Sequence, residues 1–300
     1  MQHLKRLTDG TGILQHATFA VPNYHEGYTT DDNARALVLM THLDELGELP
    51  ADEIEDLTTR YLAFVAYAFN PATRRFRNFL AYDPRHWTED IGSDDSHGRA
   101  LWALGNLVGR TSRHGLRGMA VDLFNAALPA VLELKSPRAW AYTLLGIRDY
   151  LRWLAGDRAA EQIAQQLAQR LVSRFRESQR DGWIWFEDSL TYANACLPQA
   201  LLVAGEATGQ SEFTEIGLLT LEWLVALQTA EAGHFVSVGS NGFYTRGMAR
   251  ARFDQQPIEA YVSVSACLTT LRITGDLRWL REAERAFEWF LGRNDLGLPL

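Results

Sequence analysis

Apolar residues recur at helical spacing along nearly the whole chain, and the breaks between these runs alternate between short and long. The spacing predicts helices over 31–46, 51–69, 95–109, 115–133, 137–154, 157–178, 190–207, 211–229, 256–274 and 277–292. Stop and start residues fill the breaks, as in Asn70-Pro71, Ser136-Pro137, Gly209-Gln210-Ser211 and Thr274-Gly275-Asp276. Strand alternation is absent apart from a short hairpin expected over His234–Tyr244. The links 46–51, 109–115, 154–157, 207–211 and 274–277 are short, whereas 70–94, 179–189 and 230–255 are long. Short links make antiparallel neighbours, so the helices pair into five hairpins. A sixth would complete an all-α (α/α)6 toroid. The segment before residue 30 is expected to supply one of its helices. The other is missing where the chain ends at Gly297-Leu298-Pro299-Leu300, so the ring is expected to be incomplete there. No Ser-, Gly- or Pro-rich linker divides residues 1–300, which read as one domain.

The first member of each pair should lie inside. The run Ala260–Leu268 is nearly free of charge and rich in small residues, and Thr191–Gly205 is similar, whereas 157–176 and 278–293 carry charge on one face. A hydrophobic content of 47% is enough for a sizeable core. The net charge of −8 argues against a nucleic-acid partner. Cys196 and Cys267 sit inside apolar helical patterns and read as buried thiols. The start, Met1–Leu7, lacks the apolar stretch of a signal peptide, and no run reaches the roughly 18 apolar residues of a membrane span. A soluble, cytoplasmic protein without a membrane partner is the expectation.

Two stretches are near-repeats: Asp31-Asp32-Asn33-Ala34-Arg35-Ala36-Leu37 and Asp94-Asp95-Ser96-His97-Gly98-Arg99-Ala100-Leu101. Each puts an acidic pair at a helix start with an arginine one turn on. Four such clusters precede inner helices: Tyr28, Asp31, Asp32 and Arg35; Trp87, Asp94, Asp95, His97 and Arg99; Trp183, Trp185, Glu187, Asp188 and Asn194; and Arg250, Arg252, Asp254, Gln255, Gln256 and Glu259. In a hairpin barrel the inner helices run the same way, so the clusters are expected to share one mouth. Glycoside hydrolysis needs a proton donor and a second carboxylate that activates water or attacks the sugar. Asp32, Asp94, Asp95, Glu187, Asp188 and Asp254 are the candidate catalytic groups. The remaining residues of the clusters, Arg250 excepted, are the candidate sugar-binding groups. Asp94 or Asp95, beside His97, Trp87 and Trp102, is the expected proton donor. A carboxylate of the third or first cluster is the expected base.

Plainer accounts exist for each residue taken singly. An Asp at a helix start can be a cap. Asp31–Arg35 and Asp95–Arg99 have the spacing of surface ion pairs. His97 can be a structural hydrogen-bonder, and Trp183 and Trp185 can anchor a loop. Pro257 after Asp254 is ordinary first-turn chemistry. No phosphate-binding loop, dinucleotide fingerprint or nucleophile elbow occurs, and the eight histidines include no helical zinc pair, so neither metal nor cofactor is expected.

Several segments resemble a helical domain fused to, or encoded with, bacterial glycosyltransferases. They are Thr11-Gly12-Ile13-Leu14-Gln15-His16, Gly27–Leu37, Phe186-Glu187-Asp188 with Leu190–Ala195, Phe253–Ala260, and Trp289–Gly297. That family is similar to the six-hairpin glycosidase superfamily. It continues past the present C-terminus into a Gly-rich loop and a further helix with a Gln-Gly-Ala-Glu type motif. The resemblance implies a carbohydrate-active protein with an oligo- or polysaccharide substrate and a glycosyltransferase as a candidate partner. An inverting glycoside hydrolase is the first expectation. A non-catalytic glycan-binding or scaffolding domain is the second, and a sugar epimerase or isomerase, which would want histidines at the mouth, is the third.

Overall fold

The computed structural model describes residues 1–297. Its helices are α1 (Gln2–Leu7), α2 (Thr30–Leu46), α3 (Ala51–Ala68), α4 (Asp94–Arg110), α5 (His114–Ala127), α6 (Pro137–Leu151), α7 (Arg158–Ser178), α8 (Cys196–Thr208), α9 (Ser211–Leu227), α10 (Pro257–Thr274) and α11 (Arg278–Glu288). Short 3-10 turns extend α5 over Leu128–Glu133 and α11 over Trp289–Leu291. The chain divides into two compact units, Met1–Ala164 and the part from Gln165 onward, with the division inside α7.

Local chemistry sets the helix ends. Thr29 caps α2: its hydroxyl accepts from the Asp32 amide at 3.0 Å and donates to the Asp32 carboxylate at 2.5 Å. Gly47, at φ +66°, ends α2, with its own amide reaching Asp44 O and that of Glu48 reaching Leu43 O. Ser93 and Ser136 cap α4 and α6 in the same way, and Pro137 occupies the first turn of α6.

In the first unit α2, α4 and α6 pack side by side and run parallel. Arg99 at the start of α4 pairs with Asp31 at the start of α2. At the other end, Asn106 Nδ2 donates to Asp149 Oδ2 at 3.0 Å, and Arg110 pairs with Glu45 and Asp149. The contact between α4 and α6 is close because glycines line it. A Cβ at Gly98, Gly105 or Gly109 would strike the backbone of Ala139, Gly146 or Asp149. Both helices are buried over most of their length, as the absence of charge in their middle turns requires. Their partners α3 and α5 bury one stripe each, for example Ile54, Leu57, Tyr61, Phe64 and Val65 of α3. The run His114–Glu133 is apolar and long enough to pass as a membrane span. It is broken at Leu128 and packs through Ala120, Phe124, Ala127 and Val131.

In the second unit α8 and α10 lie parallel. Asn194 meets Glu259 at one end, Gln199 Nε2 donates to Ser265 and Thr269 midway, and Arg272 pairs with Glu206 at the other end. Helix α9 returns against α8, where Gly205 and Gly217 admit Thr214 and Leu202, and α11 returns against α10.

Three expectations need correction. The helix expected from residue 190 begins at Cys196, because Ser189–Leu190 pairs antiparallel with Tyr244–Thr245 and Ala193 adopts φ +50°. The hairpin expected over His234–Tyr244 is absent: Phe235 bridges to Thr229, and Tyr244 pairs with Leu190. The segment before residue 30 forms only the six-residue α1, a 3-10 turn at Tyr24–Glu26 and two-residue strands. Both cysteines are buried thiols, and burial pushes that of Cys267 up to about 12.

Candidate functional site

Each unit gathers its own two clusters. In the first unit, Asp31 is shared between the neighbouring guanidiniums of Arg99 and Arg35, the latter at 2.6 Å. Arg99 is buried, stacks 4.4 Å above the Tyr142 ring and donates to the Tyr142 hydroxyl at 2.9 Å. The arginine of the second repeat thus reaches across to the aspartate of the first. Tyr28 is fully buried among Leu14, Phe64 and Leu80, and its hydroxyl donates to Asp9 at 2.5 Å. Burial, then that bond, pushes its pKa up to about 12. Trp87 packs on Phe64 and Tyr67.

In the second cluster Asp94, the expected proton donor, is already engaged. Its carboxylate accepts from the amides of Lys135 at 2.8 Å and Ser136 at 3.2 Å and pairs with Arg75 at 3.1 Å. Partial burial raises its pKa, but the two amides and the arginine together outweigh that and hold it below the usual range. A proton donor needs the opposite. Asp95 accepts the hydroxyl of Ser136, so both acids tie the start of α4 to the start of α6. His97 has no exposed surface. Its Nδ1 accepts from the Phe76 amide at 3.4 Å, so Nε2 carries the proton and donates to Ala127 O at 3.3 Å. Burial first, with Arg75 nearby, lowers its pKa to about 3, and the ring stays neutral. It therefore has no surface for a sugar.

Asp32 differs: burial raises its pKa despite the Thr29 bond and Arg35 at 3.5 Å. With Arg35 it walls a cleft of about 230 Å3 whose other sides are largely apolar, including Leu4, Leu7, Leu14 and Leu39.

In the second unit the expected tryptophan wall is core. Trp183 and Trp185 are 3% and 0% exposed and pack with Trp223, and the Trp183 indole donates to Glu187 O at 2.8 Å. Neither has surface to offer a ligand. Glu187 is half-buried, while Asp188 is exposed and pairs with Arg246 at 2.7 Å. Asn194 and Glu259 are buried together. The Asn194 Nδ2 donates to Glu259 Oε2 at 2.8 Å, and Gln228 Nε2 donates to the same oxygen at 3.1 Å. Gln256 is exposed at the start of α10.

The fourth cluster opens onto a cleft of about 720 Å3. Arg252, Phe253, Asp254 and Gln255 line one side, and Trp289, Asn294, Asp295 and Leu296 the other. The segments Phe253–Ala260 and Trp289–Gly297, which carried part of the resemblance, thus face each other. Asp254 sits at φ +58°, its carbonyl held by the amide and hydroxyl of Ser240. Among the described residues its carboxylate makes no hydrogen bond or ion pair. Asp295 is fixed on both oxygens, by His234 Nε2 at 2.8 Å and Gln255 Nε2 at 2.9 Å. Gln255 Oε1 accepts the Trp289 indole N–H at 3.0 Å. Sequence reasoning named Arg252, Asp254 and Gln255, and His234 as a histidine near the mouth, but gave no role to Trp289, Asn294 or Asp295. The late motif around Trp289 was the available signal. Among the described residues no three His, Cys, Asp or Glu side chains are placed to hold a metal.

No protein-family model and no curated protein sequence matches the chain. Solved structures do. Cellobiose 2-epimerase from Bacillus thermoamylovorans superposes with a TM-score of 0.71 at 11% identity, covering 96% of this chain and 83% of that one. A sugar epimerase from a ruminal bacterium gives 0.74 at 11%, covering 96% and 82%. An α-mannanase from Bacteroides thetaiotaomicron gives 0.61 at 13%, covering 87% and 74%. The chain has the six-hairpin (α/α)6 glycosidase-like fold, as the alternation of links predicts.

Proposed function

We propose that this chain is a carbohydrate-active protein, and that it is a glycoside hydrolase taking part of an oligo- or polysaccharide into the cleft between Arg252 and Leu296. The observation that carries the reading is the meeting there of Asp254, whose carboxylate has no partner among the described residues, a fixed carboxylate, Asp295, an aromatic wall and the polar side chains of Arg252, Gln255 and Asn294. Asp295 is oriented through hydrogen bonds on both oxygens, which makes it the candidate base that positions water. Asp254 is the candidate acid. Base-activated water attacking opposite a protonated leaving oxygen is the inverting course. Arg252 and Asn294 are placed for sugar hydroxyls. The sequence resemblance makes a bacterial glycosyltransferase a candidate partner.

A second reading, sugar epimerisation or isomerisation, is favoured by the His234–Asp295 pair, since such chemistry uses an imidazole held by a carboxylate. The experiment is an assay of the purified chain and Asp254→Asn on α- and β-linked manno- and gluco-oligosaccharides, with products resolved by chromatography. Shortened products lost in the variant support hydrolysis. Products of unchanged length but altered stereochemistry favour the second reading. Binding without turnover in the wild type would make the chain a glycan-binding domain.

A further inference from the structure

Four side chains from three segments form a single hydrogen-bonded line beside the cleft: His234, Asp295, Gln255 and Trp289. The donor and acceptor roles fix its direction. An indole N–H can only donate, so the Gln255 amide turns its oxygen to Trp289 and its nitrogen to Asp295. Trp289 is therefore held from two sides. Its N–H is anchored by Gln255, and its ring packs toward Phe235, Ala260 and Ala286 and edge-on against Phe290, with centroids 5.3 Å apart. It nonetheless lines the cleft, together with Phe253, which is 76% exposed. A rigid, half-buried indole in an open polar cleft is suited to the apolar C–H face of a sugar ring.

The charges narrow the ligand further. The cleft lining carries one guanidinium, Arg252, against two carboxylates, Asp254 and Asp295. The nearby Arg250 is turned away, donating to Leu227 O. A sugar acid or sugar phosphate would meet net negative charge and no paired cations, the reverse of a site built for anions.

We infer that the cleft binds an uncharged pyranose stacked on Trp289, and that Gln255 is a positioning residue that fixes the indole for that contact. The inference rests on the reading of this cleft as the sugar site, but it is tested by equilibrium binding rather than turnover. The charged groups around the line are His234, Asp295 and the Glu288–Arg293 pair, with Arg250, Arg252 and Asp254 on the facing loop.

The test uses the full chain, with cellobiose and α-1,6-mannotriose as neutral probes and digalacturonate as an anionic one, followed by calorimetry. At least one neutral probe should bind and digalacturonate should bind more weakly. Trp289→Ala should weaken neutral binding by at least about tenfold. Gln255→Leu should do the same at every pH. Gln255→Glu should bind poorly near neutrality, where the new carboxylate faces ionised Asp295. It should recover at lower pH, where a proton shared between the two carboxyls restores the bond to Asp295 and draws the side chain back into place beside Trp289. Failure of both neutral probes, unchanged binding by Trp289→Ala, preference for digalacturonate, or no acid recovery in Gln255→Glu would overturn the inference. Lost recovery caused by misfolding is separated by the indole N–H resonance of Trp289, assigned with Trp289→Phe in the ligand-free protein. That resonance should shift in Gln255→Leu while the other indoles stay in place. If it does not move, Gln255 does not position Trp289. Intact binding with no turnover would sink hydrolysis and leave this inference standing.

Discussion

The start of α4 and the cleft around Asp254 both collect acidic and aromatic groups, and the difference between them lies in what those groups are already doing. At α4 each acid is engaged: Asp94 by two amides and Arg75, Asp95 by Ser136, and His97 on both ring nitrogens. At the cleft the Asp254 carboxylate has no partner among the described residues, and the bonds that surround it orient its neighbours. A satisfied polar cluster stabilises the fold, whereas a polar group left open in a concavity is available to a ligand. The two regions should therefore answer mutation in opposite currencies, the first in stability and the second in activity.

The largest expected effect is at the cleft. Asp254→Asn should lower turnover by about 10²–10⁴-fold, as expected for loss of a proton-transfer group, with the melting temperature unchanged. Comparable loss of turnover in Asp94→Asn with full stability would erase the contrast.

Next comes the pH dependence of His97. The folded ring has a pKa near 3, against 6.5 for an ordinary histidine. Between those values the unfolded chain holds a proton that the folded chain does not, so this contribution is complete above about pH 6.5 and is lost as pH falls toward 3. The slope approaches roughly 1.4 kcal/mol per pH unit. Urea unfolding at about pH 7.5 and about pH 5 should show a loss near 2 kcal/mol in the wild type. His97→Gln should show a visibly smaller loss.

Asp94→Asn should follow, destabilising by about 1–3 kcal/mol, because a neutral amide oxygen accepts more weakly than a carboxylate from the amides of Lys135 and Ser136 and no longer pairs with Arg75. Its KM and kcat should hold at a temperature where it is folded. The smallest effect belongs to Asp188→Asn. That side chain is 72% exposed, and its pair with Arg246 is worth about 0–1 kcal/mol. A severe loss of activity there would return the third cluster to candidacy.

The helical hairpins are legible in the sequence because their signals are local. Thr29 with Asp32, Ser136 with Pro137, and Gly209 and Gly275 at αL positions all lie within one turn of the boundary they set. The start of α8 is not legible, since Thr191–Ala195 keeps the apolar period of a helix while Leu190 pairs with Tyr244, 54 residues away. The site divides the same way. Acidic density at helix starts is visible in the sequence but does not separate a clamp from a ligand group. Asp94 is engaged by amides 41 and 42 residues distant. Asp295 escaped notice because it is isolated in sequence and defined by Gln255 and His234, 40 and 61 residues away.

The most direct test of the central claim, that the cleft of the second unit is the sugar site, is a crystal structure of Asp254→Asn soaked with α-1,6-mannotriose or cellobiose. The account predicts a pyranose ring lying on the Trp289 indole with hydroxyls toward Arg252, Asn294 and Asp295. A sugar ordered elsewhere in the protein, with this cleft filled only by solvent, would contradict it.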